Sequence, residues 1–201
     1  MSSIQVINTN TKKISIKLKG VSLEYANALR RICLNGVPVF AIDTVDIIEN
    51  TSVMADEDLA HRLGMIPLKT ELSRFNDPDS RVMFILDSGD IETTKIVTTA
   101  DLSTKDDVVK PVSDKIPIAS LAPGQRIKFE AYAKLGRGTE HAKWNSANIS
   151  VLTNTEKNDE HVLTVETTGA LQPEEIILTG IDELGKRLDE LKEKLGNLNE
   201  K

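Results

Sequence analysis

The sequence of 201 residues contains a single cysteine, Cys33. An internal disulfide needs a second cysteine, and a cysteine-held iron–sulfur cluster or an all-cysteine zinc site needs about four of them. We therefore expect no cofactor in this chain, neither an iron–sulfur cluster nor zinc.

Aromatic residues, basic residues and long apolar runs are also scarce. Phe, Trp and Tyr make up 3% of the chain, too few for the platforms on which single-strand binders stack bases. The 31 acidic residues outnumber the 25 basic ones, so we expect no direct binding of nucleic acid through bulk charge. No apolar run approaches the roughly 20 residues of a membrane span, and the first residues lack a signal-peptide pattern. These features predict a cytoplasmic protein without membrane contact.

The sequence does have an ordinary globular balance, with 39% hydrophobic and 28% charged residues. Alternating or β-branched runs predict strands at residues 14–18, 39–48, 82–86, 91–98, 126–134, 148–152 and 161–167. Helix formers between start and stop signals predict helices at residues 23–34, at 56–63 and from Pro173 onward. This order of elements predicts an α+β fold.

The last predicted helix carries the clearest periodic pattern in the chain. Its apolar residues are spaced alternately four and three apart, at Ile177, Ile181, Leu184, Leu188, Leu191, Leu195 and Leu198. Burying these seven side chains would contribute about 10–20 kcal/mol before entropy is subtracted. The seam either packs on the protein's own sheet or is covered by a partner helix. Three glycines in the helix, which each cost about 1 kcal/mol, favour strong packing of one of these kinds.

The helix at 23–34 has two apolar strips. Helical spacing predicts that Tyr25, Leu29, Ile32 and Cys33 form the core stripe. A second strip holds Leu23 and Leu34 beside Asn27 and Arg30. A second chain on that side would explain the second strip, with Arg30 and Arg31 binding carboxylates at the interface. A solvated edge explains the arginines equally well.

Catalytic and metal-binding patterns are weak. The histidines His61, His141 and His161 are far apart and lack metal-ligand spacing. The acidic residues before His61 could form an acid–base or metal site, although charges in the first turn of a helix explain them more simply. Three hypotheses remain from the residues: a partner-binding scaffold, a homodimeric adaptor using the same C-terminal helix, and an enzyme centred on His61.

Three segments resemble the alpha-like subunit of multisubunit RNA polymerases: NALRR at 27–31, VFAI at 39–42 and DEDLAHRLGMIPL at 56–68. PGQ at 123–125 and GTEHAKW at 138–144 favour the archaeal D-type branch of this family, which is related to the third-largest subunit of eukaryotic polymerase II. The resemblance implies a dimerisation domain of a sheet and two helices, the C-terminal one long, built from residues 1–46 and 157–201. It also implies an inserted β-rich domain at 47–156.

The resemblance further implies a non-catalytic assembly platform in a nucleotidyltransferase holoenzyme. The chain would pair with the small alpha-like subunit L, bind the zinc-containing subunits N and P, and recruit the second-largest, catalytic subunit for transcription. The expected interface residues for these partners are Leu23, Asn27, Arg30, Arg31, Leu34, Ile177, Ile181, Leu184, Leu188, Leu191 and Leu195. An assembly loop with His141, Lys143 and Trp144 would add to this surface. Many relatives hold a cluster in an extra domain, whereas this chain has a short polar link between Leu152 and His161.

Overall fold

The structure, a computed structural model, describes residues 3–75, 80–155 and 160–198, with side chains as far as residue 196. The elements in chain order are β1 (Ser3–Thr9), β2 (Lys13–Lys19), α1 (Leu23–Asn35), β3 (Val39–Asn50), α2 (Asp56–Gly64), β4 (Arg81–Asp87), β5 (Lys95–Thr98), β6 (Ser103–Thr104), β7 (Pro117–Leu121), β8 (Ile127–Gly136), β9 (Ala147–Asn154), β10 (Glu160–Thr167) and α3 (Pro173–Leu198). The predicted α+β class is confirmed. None of the helices in this described part is long and apolar enough to cross a bilayer.

The chain forms two compact units, and their boundaries differ from those expected at residues 46 and 156. One unit joins Met1–Pro38 to Arg137–Lys201, and the other is Val39–Gly136. The first boundary lies before β3 because β3 pairs with β8 along its whole length. The second boundary lies before β9 because β9 pairs with β10 in the sheet of the first unit.

The first unit contains an antiparallel sheet in the order β1-β2-β10-β9. Alternation in β2 turns Ile14, Ile16 and Leu18 to the buried face. On β10, Val165 and Leu163 lie opposite Ile14 and Ile16, so the same face continues across the sheet. Helix α1 contacts β9, β10 and α3, and α3 contacts β10 and β2. The predicted strands at 14–18, 148–152 and 161–167 are thereby confirmed as β2, β9 and β10.

Strand β1 forms one edge of this sheet and was not predicted. All of its residues are exposed, including Ile4, Val6 and Ile7. It contains neither proline nor a charged residue. Its apolar residues do not alternate strictly because a bulge interrupts the pairing with β2 between Val6 and Asn8.

The second unit contains a sheet in the order β3-β8-β4-β6 and a separate pair, β5-β7. Its core surrounds three fully buried aromatic side chains, Phe40, Phe84 and Phe129. Helix α2 adds Leu59 and Leu63 to this core, and it contacts β3 and β7. Of the predicted strand at 91–98, only Lys95–Thr98 forms a strand, which is β5. Strand β7 was not predicted.

Candidate partner-binding surface

Helix α3 consists of two segments that differ in burial. Residues 173–184, the anchored segment, include the buried Ile176, Ile177 and Gly180. Residues 185–196, the exposed segment, are exposed at every position. The helix therefore leaves its own unit after about three turns and continues without cover from the described residues.

The predicted apolar seam crosses from one segment into the other. Ile177 is 6% exposed, and Ile181 and Leu184 are half-buried. Further along the helix, the exposed fractions are 55% for Leu188, 54% for Leu191 and 54% for Leu195. The last member, Leu198, has a side chain outside the described residues. The sheet and helices of the same chain thus cover the start of the seam, and the leucine side chains of the exposed segment remain accessible.

The described residues do little to stabilise the exposed segment. Isolated helices shorter than about 12–15 residues are marginal in water, and Gly185 and Gly196 weaken this one further. Covering the three exposed leucines would contribute only about 2–5 kcal/mol, because each is already close to half-buried. Association costs about 4–15 kcal/mol in lost freedom, so any stable pair must bury additional surface.

A close contact between α1 and α3 fixes the anchored segment. A Cβ atom at Gly180 would lie 3.2 Å from Sγ of Cys33 and 3.5 Å from Cγ2 of Ile32. Glycine at this position therefore permits the approach of the two helices, in addition to its cost in helix propensity. Burial in this contact raises the pKa of the Cys33 thiol to about 12. Cys33 is a core residue, as its position on α1 predicted.

The core stripe of α1 differs from the predicted stripe by one residue. The buried residues are Ala26, Leu29, Ile32 and Cys33, whereas Tyr25 is exposed. The prediction for Tyr25 was wrong because the buried stripe passes through Ala26, which lies about 100° around the helix from Tyr25. Ala26 is fully buried. The hydroxyl of Ser22 caps α1 by accepting a hydrogen bond from the backbone N–H of Tyr25 at 3.4 Å.

The predicted interface residues of α1 differ in their exposure and in the hydrogen bonds that they make within the chain. Leu23, Asn27 and Arg31 are exposed, and Leu34 is half-buried. Arg30 is half-buried, and its guanidinium donates to the Asn27 side chain at 2.8 Å and to the Ser150 carbonyl at 3.4 Å. Ser150 in turn donates its hydroxyl to the Arg30 carbonyl at 2.8 Å. Arg30 therefore ties α1 to β9, and Arg31 is the more accessible of the two arginines.

The assembly loop, residues 138–144, is folded against the end of α1. A Cβ at Gly138 would overlap the Asn145 side chain and lie 2.8 Å from Cβ of Asn35, so only glycine fits there. The backbone N–H of Thr139 donates to the Asn35 carbonyl at 3.1 Å. Trp144 is buried beneath the loop, and Nζ of Lys143 lies 4.3 Å from its ring centroid.

His141 occupies the exposed side of the assembly loop. Its Nδ1 accepts the backbone N–H of Lys143 at 3.1 Å, which fixes the short turn before Trp144. Lys143 is half-buried on the Trp144 ring. The loop therefore combines an exposed histidine with a buried tryptophan.

The sequence analysis did not predict an ion pair between α3 and Arg137, the residue that precedes the assembly loop. The Glu183 carboxylate binds Arg137 at 2.8 Å and Lys186 at 3.3 Å. Arg137 lies 46 positions away in the chain, and no local spacing could have indicated this pair. The only available signal was a charged residue on the apolar side of a periodic helix.

No metal site is found in the described ranges. No group of three or more His, Cys, Asp or Glu residues is arranged to hold an ion within residues 3–75, 80–155 and 160–196. His61 is exposed on α2, and the nearby Asp56 accepts a hydrogen bond from the Asn50 amide at 2.7 Å. His161 is buried on β10, with Nδ1 3.0 Å from the Asn154 side chain. The absence of a cofactor stays a prediction.

The comparison with protein families gives a single result for most of the chain. The model of the RNA polymerase Rpb3/Rpb11 dimerisation domain matches residues 15–188. The chain belongs to this family. The match runs from β2 through both units to the beginning of the exposed segment, and it confirms at family level the resemblance to alpha-like polymerase subunits.

Several relatives of the chain carry the name DNA-directed RNA polymerase subunit Rpo3. The chain is 47% identical to DNA-directed RNA polymerase subunit Rpo3 of Pyrococcus horikoshii over 148 residues, which are 72% of this chain and 56% of the relative. It is 47% identical over 145 residues to the Pyrococcus furiosus subunit, covering 70% and 55% of the two chains. For Aeropyrum pernix the identity is 36% over 166 residues, covering 75% and 58%. The chain thus spans little more than half the length of these curated relatives.

Proposed function

We propose that this chain is a non-catalytic assembly-platform subunit of a cytoplasmic DNA-directed RNA polymerase. The observation that carries the proposal is the row of exposed leucines on α3, in a family defined by a dimerisation domain. An uncovered helix with an apolar stripe is unstable on its own and suits pairing with another helix. Relatives that carry the name of a polymerase subunit indicate the complex in which the pairing takes place.

The proposed first partner is the small alpha-like subunit L. Its helices would cover Leu188, Leu191 and Leu195 and extend the apolar contact toward Leu184 and Ile181. Because these leucines supply too little free energy for a stable pair, the interface also includes the exposed strip of α1. There Leu23, Asn27 and Leu34 supply a mixed apolar and polar contact. Ile177 is already buried within its own unit and would contribute to the interface indirectly, by anchoring the start of α3.

The second-largest subunit is the proposed partner of Arg31 and the assembly loop. Arg31 is exposed on α1, and an arginine guanidinium forms paired hydrogen bonds with carboxylates. Arg31 is a better candidate than Arg30, whose guanidinium is bound to Asn27 and Ser150. The loop would add His141 at its surface, supported by Lys143 and Trp144. The small subunits N and P would join the same pair.

The chain itself would hold no active site, and nucleotidyl transfer would belong to the assembled polymerase. Elemental analysis of the purified chain, together with a His61→Ala variant, tests this part of the proposal. We expect no bound metal and no change in the assembled polymerase's activity. A metal ion that is lost in His61→Ala would support the enzyme hypothesis instead.

Pairing is tested by producing the full chain with and without subunit L and measuring mass by size-exclusion chromatography with light scattering. We expect a one-to-one complex, and Leu188→Asp should abolish it because an unpaired carboxylate would be buried. Glu193→Lys is the matched control, since residue 193 lies about 140° around the helix from Leu188. A monomer that ignores subunit L would contradict the proposal, and a homodimer unaffected by it would favour the adaptor hypothesis.

Recruitment is tested by pull-down of the second-largest subunit with the preformed pair. We expect Arg31→Glu to lose the second-largest subunit while keeping subunit L. Lys69→Glu reverses an exposed charge in the other unit and is the matched control. Equal capture by both variants would remove Arg31 from the proposed contact.

A further inference from the structure

A buried carboxylate on α3 joins the helix to the residue that precedes the assembly loop. Glu183 is 7% exposed, and its Oε2 accepts a hydrogen bond from Nη2 of Arg137 at 2.8 Å. Its Oε1 lies 3.3 Å from Nζ of Lys186. Desolvation raises the pKa of Glu183, and the hydrogen bonds and charges of Arg137 and Lys186 outweigh it, so the net pKa is below the ordinary value. The group is thus an ionised carboxylate that depends on its partners.

The assembly loop depends on the same region at both of its ends. Arg137 at its start is held by Glu183. The loop then follows the last turn of α1, where Thr139 binds the Asn35 carbonyl. After the loop, the Ser146 hydroxyl donates to the Cys33 carbonyl at 2.9 Å. The position of the loop is therefore set by α1 and by one side chain of α3.

Glu183 occupies the border between the two segments of α3. Among the side chains described up to residue 196, it is the last buried one on the helix, and the exposed segment begins two positions later. Uncovered helix ends open with little free-energy cost. If α3 unfolds from its C-terminal end as far as Glu183, the ion pair breaks and Arg137 is released. A partner helix packed on Leu188 would prevent this unfolding from reaching the ion pair.

We propose that Glu183 is a positioning residue that couples the partner-binding face of α3 to the assembly loop. Docking of a partner helix on the exposed segment holds the Glu183–Arg137 pair closed and with it the loop. The inference rests on the proposed function, which supplies the partner and the role of the loop. Because such coupling is reciprocal, a chain bound to the loop tightens the hold of α3 on its partner by the same factor.

Hydrogen exchange of the segment 137–146 tests the coupling in the full chain, with subunit L as the probe. In the wild-type chain we expect subunit L to slow exchange in this segment by about fivefold or more. The variant Glu183→Gln should still bind subunit L through the leucines and the exposed strip of α1, but exchange in the loop should stay fast. Lys186→Gln is the matched control, because it leaves the Arg137 contact in place.

Two further readouts separate this inference from the proposed function. In the free chain, Glu183→Gln and Arg137→Gln should each speed loop exchange and shift the emission of Trp144, the only tryptophan, to longer wavelength. Unchanged exchange in both free variants would overturn the inference even if subunit L does not bind. Binding of subunit L without any change in the wild-type loop would overturn it while leaving the proposed function intact. Far-UV circular dichroism identifies a variant that fails to fold, and the other variant then decides.

Discussion

The two segments of α3 carry the same apolar repeat in opposite surroundings. In the anchored segment, Ile176 and Gly180 are buried in the first unit, and Gly180 permits close contact with α1. In the exposed segment, a Cβ atom at Gly185 or Gly196 would meet nothing within 4 Å. The comparison teaches that a heptad pattern predicts which face of a helix will be buried and leaves open which molecule buries it.

Thiol labelling gives the largest contrast between the two segments. The thiolate is the reactive form of cysteine, and burial raises the pKa of Cys33 from 9.0 to about 12, so its thiolate fraction at pH 8 falls about a thousandfold. We expect the thiol introduced by Leu191→Cys to react with iodoacetamide at an ordinary rate in the free chain. Subunit L should protect it. Equally fast labelling of Cys33 in the folded chain would show that the α1–α3 contact is open.

Truncation of one apolar side chain in each segment compares their contributions to folding. Ile176→Ala removes a fully buried side chain and should lower the free energy of unfolding by about 2–5 kcal/mol. Leu191→Ala should change it by about 0.5 kcal/mol or less in the free chain. Urea unfolding followed by circular dichroism measures both. A large loss for Leu191→Ala would mean that the chain itself covers the exposed segment.

Replacing one glycine in each segment of α3 should change the stability of the fold in opposite directions. Gly180→Leu forces a large side chain against Cys33 and should destabilise the fold by about 1–3 kcal/mol. Gly185→Ala has open space and should stabilise the helix by up to about 1 kcal/mol. Thermal unfolding of the free chain shows whether each variant is less or more stable than the wild-type chain. If Gly185→Ala weakens binding of subunit L, the partner approaches the backbone at that residue.

The smallest expected effect concerns the pH dependence at Glu183, where the two segments meet. Its pKa is lowered in the folded chain, so the ion pair stabilises the fold above the unfolded pKa, and this contribution is lost as pH falls through the folded pKa. Glu183→Gln should lower the free energy of unfolding by about 1 kcal/mol or less at pH 7 and by less at pH 3. Urea unfolding at both pH values measures the difference, with Glu190→Gln as the control. A difference that grows in acid would contradict the assignment of the ion pair.

The elements that could be predicted from the sequence are those with strong local signals. Ser22 and Gly36 mark the ends of α1, and alternation of Ile14, Ile16 and Leu18 defines β2. Strand β1 could not be found because its residues are exposed on both faces and a bulge breaks the alternation. Its structure depends on pairing with β2, which is a tertiary contact.

The role of the residues named for the candidate surface stays a prediction, and the contacts that these residues make could not be predicted from the sequence. The leucine repeat and the GTEHAKW motif indicated the residues concerned. The exposure of Leu188 and the burial of Ile177 depend on where α3 leaves the sheet, which periodicity does not record. The Glu183–Arg137 pair joins residues 46 positions apart, so no local spacing in the sequence could indicate it.

The uncharged edge formed by β1 has a consequence for the cell that makes this protein. A strand without charge or proline offers an open row of backbone groups to any other extended polypeptide. Surplus copies would therefore tend to associate edge to edge into aggregates.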